Sequence, residues 1–175
     1  MKTIYLFLLF ISISAIAQNK KFNSDVILET KLSCRAILVD DEKVWMGMDK
    51  GRYGFYDKKK DTTIIKEIQS VARTTEFRSI AGTKEAIFIL AVGNPAMLIR
   101  IDKKTLEETV VYKEEHEKVF YDSMQFVDDL NGFAMGDPIK NCLAFIKTND
   151  GGKTWQKVNC DVLPIVSEGE AAFAT

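Results

Sequence analysis

The sequence predicts an all-β protein, an incomplete β-propeller of four-stranded antiparallel blades with about three and a half blades present. Three observations lead there: a unit of about 44 residues recurs, each unit divides into four short β-rich runs, and helical spacing is hard to find. Arg35-Ala36-Ile37 recurs as Arg78-Ser79-Ile80 and again as Asp122-Ser123-Met124, at offsets of 43 and 44. Val39-Asp40-Asp41 recurs as Val127-Asp128-Asp129, two periods later.

These repeats mark the first run of each unit. The second run is centred on an aromatic residue and leads to a glycine: Val44-Trp45-Met46-Gly47, Ile87-Phe88-Ile89-Leu90 reaching Gly93, and Gly132-Phe133-Ala134-Met135-Gly136. The third ends in aspartate: Tyr53 to Asp57, Met97 to Asp102 and Leu143 to Asp150. A turn rich in lysine, glycine or threonine follows. The fourth run closes the unit: Thr62 to Ile65, Glu107 to Tyr112 and Thr154 to Val158. The runs are rich in Val, Ile, Phe, Tyr and Thr and are separated by Asp, Asn, Gly and Lys, which is strand-and-turn chemistry. The best helical window, Lys113 to Lys118, is too short and too charged to bury a face. Helical repeats of similar period are disfavoured by this composition, and a plain β-sandwich is the competing architecture. The blades are expected over about 34–67, 77–112 and 121–160, with 169–175 as the start of a further one. Propellers close with four to eight blades, so the reading expects this chain to be part of a longer protein or a truncated product.

Before the first blade lies an address. Lys2 precedes an apolar run from Ile4, and Ala15-Ile16-Ala17 places small residues at the −3 and −1 positions of a signal peptidase site. Residues 1–17 therefore read as a secretory signal peptide, and 18–175 as the propeller portion. At about 14 residues the apolar run is short of the roughly 20 needed to span a bilayer. The expected location is periplasmic or secreted, with no membrane span after cleavage.

Charge and composition exclude several functions. The chain carries 24 basic and 25 acidic residues, a net charge of −1, so no electrostatic case exists for nucleic acid. One histidine, His116, excludes a multi-histidine metal site, and its Glu114-Glu115-His116-Glu117-Lys118 setting reads as a solvated connector. Three cysteines cannot form a four-cysteine zinc site. Lys58-Lys59-Lys60-Asp61 reads as a solvated hairpin turn, and no glycine-rich phosphate loop follows any strand. No cofactor and no metal are expected.

The most specific local signal is Thr148-Asn149-Asp150-Gly151-Gly152-Lys153-Thr154-Trp155. It fits the pattern Ser/Thr-x-Asp-x-Gly-x-Thr-Trp of the Asp-box, or bacterial neuraminidase repeat. The residue types suit a structural role for Thr148, Asp150, Gly152, Thr154 and Trp155. An aspartate can accept from the amides of the turn it opens, a glycine can take positive φ, and a tryptophan can bury its ring beneath the hairpin. Together with Met124-Gln125-Phe126-Val127-Asp128-Asp129-Leu130-Asn131-Gly132-Phe133-Ala134-Met135-Gly136, this segment resembles the photosystem II assembly-factor-like propellers, exported or lumenal seven-bladed proteins. The resemblance is strong over 122–158, fair over 35–57 and weak over 78–112, where Asp102-Lys103-Lys104-Thr105 replaces the box. It implies a propeller of WD40/YVTN-like architecture and an exported location, and carries over no catalytic residues.

The functional expectation is a non-catalytic binding or assembly scaffold for protein partners, because propeller rims gather loops from several blades. The rival is a secreted Asp-box glycoside hydrolase of sialidase type, which needs an arginine cluster and a Tyr/Glu nucleophile pair; a third reading is a cofactor-using redox propeller. Of Arg35, Arg52, Arg73, Arg78 and Arg100, only Arg35 and Arg78 share a repeat position, one that can face a central channel and suit an anion. Asp122 at the third equivalent position breaks the pattern, and channel residues without a ligand are the plainer reading. Asp137, beside Pro138 at a blade rim, is a ligand candidate whose plainer role is in a turn. Finally, Cys142 and Cys160 both lie nine residues from Gly151. Symmetric pairing about that turn sets them opposite each other for a disulfide; a slip of one residue sends them to opposite faces. Cys34 then stays unpaired at the start of a first strand expected to be buried.

Overall fold

The computed structural model describes residues 23–167 and 169–172; the expected signal peptide lies outside them. Among the described residues, twelve strands form three sheets, each a meander of consecutive antiparallel strands. Sheet one holds β1 (Cys34–Asp40), β2 (Lys43–Met48), β3 (Arg52–Asp57) and β4 (Thr62–Glu67). Sheet two holds β5 (Phe77–Gly82), β6 (Ala86–Ala91), β7 (Ala96–Asp102) and β8 (Glu108–Glu114). Sheet three holds β9 (Tyr121–Phe126), β10 (Gly132–Ile139), β11 (Cys142–Thr148) and the two-residue β12 (Gln156–Lys157). The first strands lie side by side, β1 against β5 and β5 against β9. The sheets therefore splay outward from one inner line, as propeller blades do.

Two apolar cores lie between the blades. One joins blades one and two through Trp45, Tyr53, Phe55, Phe77, Ile87, Ile89 and Ile99. The other joins blades two and three through Phe88, Leu90, Leu98, Tyr121, Met124, Ile146 and Trp155. The middle blade is covered on both faces, and this explains β6. Its sequence, AIFILA, is apolar at every position because Ile87 and Ile89 enter one core while Phe88 and Leu90 enter the other. In β1, by contrast, Ile37 and Val39 are 63% and 65% exposed, on the face turned away from blade two. Cys34 is likewise exposed: β1 is covered on one face only, so the expected burial of its first residue does not occur.

The aspartate that ends each third run has a common job. Asp57 accepts from the amides of Lys59 and Lys60, Asp102 from those of Lys104 and Thr105, and Asp150 from those of Lys153 and Thr154. Each carboxylate satisfies donors that the outer hairpin leaves unpaired.

Three segments differ from the sequence reading. β8 extends to Glu114, two residues past the expected Tyr112, because Ala96 and Met97 pair with Glu114 and Lys113. The last strand of blade three shrinks from Thr154–Val158 to Gln156–Lys157, because the Thr154 amide is turned back to Asp150. Of 169–175, the described Gly169–Ala172 form no strand; the Ala172 amide is spent on the Asp137 side chain.

Candidate functional site

The repeated triplets meet. Arg35-Ala36-Ile37 on β1, Arg78-Ser79-Ile80 on β5 and Asp122-Ser123-Met124 on β9, with Gln125, line one cavity of about 300 Å³ beside the inner strands. Strands with equal repeat positions lie side by side, so equal positions converge on the propeller's inner line.

The cavity's charges are matched across blades. Glu76, just before β5, sits between the two arginines: Oε2 is 3.4 Å from Arg78 Nη2 and 4.0 Å from Arg35 Nε. Arg78 Nη1 is 4.0 Å from Asp122 Oδ1, and its guanidinium lies over the Phe120 ring at 5.1 Å. The two arginines expected to favour an anion therefore face two carboxylates, and the site has no strong sign. Asp122 is the unusual member. Its side chain is 8% exposed, and among the described residues no donor reaches it within hydrogen-bond distance. Burial raises its carboxyl above the usual range and repulsion from Asp137 adds to this, while Arg78 pulls the other way. Asp137 has a structural job: its amide donates to the Phe120 carbonyl and its Oδ1 accepts from the Ala172 amide at 2.9 Å.

The Thr148–Trp155 turn lies away from this cavity, at the outer hairpin of blade three. Asp150 Oδ1 accepts from the Thr148 hydroxyl (2.8 Å), the Lys153 amide (2.9 Å) and the Thr154 amide (3.0 Å), and Oδ2 from the Thr154 hydroxyl (2.7 Å). The Thr154 hydroxyl leads in holding its carboxyl down at about 2; desolvation opposes it, and the Thr154 amide, the Thr148 hydroxyl and the Lys153 amide together outweigh that opposition. Gly152 has φ +76°, and a Cβ there would collide with the Phe88 ring. Trp155 donates from Nε1 to the Gly152 carbonyl and packs edge-on against Phe88 and Phe126 of the core between blades two and three. The side chains of Thr148, Asp150, Thr154 and Trp155 are engaged in holding the turn or the blade contact.

Cys142 and Cys160 form a disulfide with Cα atoms 5.5 Å apart. The geometry behind it differs from the symmetric pairing expected. Ile146 pairs with Lys157 and Lys147 with Gln156, a register that would set Cys142 against Asp161. The chain leaves the ladder before that point, entering a 3₁₀ turn at Cys160–Val162 capped by Asn159. That departure brings Cys160 back over Cys142.

A solved structure of YCF48 bound to D1 peptide has the same architecture, with a TM-score of 0.57 and 15% identity over 75% of this chain and 42% of that one. A structure of U3-55K matches with a TM-score of 0.63 and 8% identity, covering 86% of this chain and 44% of that one. The WD40 repeats of RRP9 match equally well, with 86% and 43% covered. The chain has the β-propeller fold. It spans less than half the length of these neighbours, and at such identities the likeness speaks for fold alone. No protein-family model matches the chain, and no curated protein does.

Sequence reasoning did not single out Glu76, which precedes its strand with no repeat partner, nor the pairing of Tyr121 with Glu114. Glu114 Oε2 accepts from the hydroxyls of Tyr112 (2.7 Å) and Tyr121 (2.9 Å), and Lys157 Nζ bonds its other oxygen. This is a tyrosine–glutamate pair of the kind a sialidase needs. Tyr121, however, is fully buried, and burial drives its hydroxyl far above the usual range. Three partners hold Glu114 as a tie between blades two and three, out of reach of a substrate.

Proposed function

We propose that this chain is an exported, non-catalytic propeller portion that holds a segment of a protein partner at the cavity between its first strands. The observation that carries the reading is the convergence of three repeat-equivalent triplets, one per blade, on a single polar cavity. Binding across blades uses what a propeller offers, loops and strand ends from separate units held rigidly together. That YCF48 is a propeller solved with a peptide bound supports a peptide as the kind of ligand this fold accommodates. We read Thr148–Trp155 as an Asp-box with a structural role, since the side chains of Thr148, Asp150, Thr154 and Trp155 are spent on its own turn. Export rests on the leader at 1–17, and the Cys142–Cys160 bridge fits an oxidising compartment.

Photo-crosslinking tests the reading. A benzoyl-phenylalanine at Ser123, in the cavity, should yield discrete adducts in the exported fraction, while one at Lys58, on an outer turn, should not. Equal labelling from both positions would remove the cavity as the binding site. Turnover of a sialoside by the purified chain would instead favour the hydrolase.

A further inference from the structure

Resting on that reading, we infer that the inner cavity recognises a primary carboxamide, the side chain of an asparagine or glutamine on the bound partner. Asp122 accepts its N–H and Arg78 Nη1 donates to its C=O.

The inference starts from Asp122. A carboxylate has lone pairs for about four hydrogen bonds, and burying one with none of them made is costly. The Asp122 side chain is more than nine-tenths buried, and the little of it that stays exposed borders the cavity, where a ligand rather than the protein can meet its carboxylate. Its nearest cation, Arg78 Nη1, stands at 4.0 Å, beyond hydrogen-bond range. Other contacts draw the two groups apart. Arg78 contacts Glu76 through Nη2 and lies over Phe120, while Asp122 is the bulged residue of β9, between the paired Tyr121 and Ser123. The cavity thus presents an acceptor and a donor about 4 Å apart with no hydrogen bond between them.

Charge decides what fits between them. Arg35 and Arg78 face Glu76 and Asp122, and Asp137 adds negative charge beside Asp122, so a full anion would meet two carboxylates and a full cation would meet Arg78. A neutral group carrying a donor and an acceptor on one carbon meets both partners favourably. A primary carboxamide has that form. A backbone peptide does not, because its trans geometry points N–H and C=O in opposite directions. A sugar hydroxyl pair could bridge the same atoms, but none of the residues lining the cavity is aromatic, so it offers no stacking face for a pyranose ring. Ser79, Ser123 and Gln125 line the same space and add polar groups to it.

The test is an NMR titration of the full chain with capped tripeptides, acetyl-Gly-Gln-Gly-methylamide against its Glu and Lys counterparts and a neutral trisaccharide. The glutamine peptide should shift the Ser123 and Gln125 amides saturably, and bind at least about tenfold more tightly than the other three probes, the worth of one charge-assisted hydrogen bond. Asp122→Asn and, separately, Arg78→Lys should each weaken it about tenfold. The Arg78→Lys variant keeps the charge and leaves Asp122 in place, so it reports even if Asp122→Asn fails to fold. Equal binding of the three peptides would overturn the carboxamide while leaving a peptide-holding cavity intact. Preference for the trisaccharide, or no binding by any probe, would overturn it too, and the crosslinking at Ser123 would then judge the scaffold reading by itself.

Discussion

Replacing Asp150 with alanine should destabilise the protein by about 2 kcal/mol, within the range of roughly 1–3 expected when hydrogen-bonded groups lose their acceptor. The structure sets the magnitude. The substitution strips the acceptor from two backbone amides, those of Lys153 and Thr154, and from two hydroxyls, those of Thr148 and Thr154. The hydroxyls can rotate to other partners, and Lys153 and Thr154 are exposed enough for water to recover part of the loss, which keeps the figure near two rather than four. For a chain of this size the melting temperature should fall by about 4–8 °C. The damage should travel. Trp155 hangs from the same turn and enters the core between blades two and three, so its fluorescence should shift to the red before global melting. The acid limb supplies a second readout. The folded-state pKa is lowered, to about 2 against an ordinary 3.8. Its contribution is therefore complete above about pH 4 and is lost as pH falls towards 2. Wild type should lose stability across that window faster than Asp150→Ala, and the two curves should converge. Calorimetry at pH 7 and between pH 4 and 2 checks both. An unchanged melting temperature at pH 7, or parallel acid limbs, would refute the structural account of this turn.

Other perturbations probe other links. Reducing the Cys142–Cys160 bridge, or replacing both residues with serine, frees a loop with a sequence separation of 18. It should cost about 3 kcal/mol, seen as a lower urea midpoint in dithiothreitol; coincident curves with and without reductant would argue against the bridge. Glu114→Gln should cost about 1–3 kcal/mol by weakening the tie from Tyr112, Tyr121 and Lys157, measured by thermal melting, with retained stability showing that the blades need no such tie. Its carboxyl is also lowered, the three partners outweighing a desolvation that pulls upward, so this contribution too is present at neutral pH and lost in acid. Gly136→Ala would push a Cβ into the Phe120 carbonyl, which is backbone and cannot rotate away; about 3 kcal/mol or more is expected, read as loss of soluble folded protein. Ile37→Lys with Val39→Lys should leave secondary structure unchanged by circular dichroism while lowering dye binding and self-association, since both side chains are exposed in an apolar row.

Much of the architecture was local enough to be legible. Strand positions followed from short apolar runs bounded by turn residues. The 44-residue period named the unit, because one blade cannot bury its own faces and must stack on similar neighbours. The Asp57, Asp102 and Asp150 turns were readable because each carboxylate acts within four residues of itself. Even the full apolarity of β6 was a sign of burial on both faces. The disulfide partners could be named, but the register that joins them depends on where β12 stops, and the Asp150 bonds to the following amides decide that. Beyond the shared repeat position of Arg35 and Arg78, what crosses blades required three dimensions. Glu76 between two arginines, Asp122 buried without a donor, and the tyrosine–glutamate pair at Tyr121 and Glu114 join residues that only the stacking of blades brings together. Within a blade, side-chain period and turn chemistry act over a few residues and leave their mark in the order of amino acids. Between blades, neighbours are set by how whole sheets pack, and no short-range pattern in the chain records which side chains will meet.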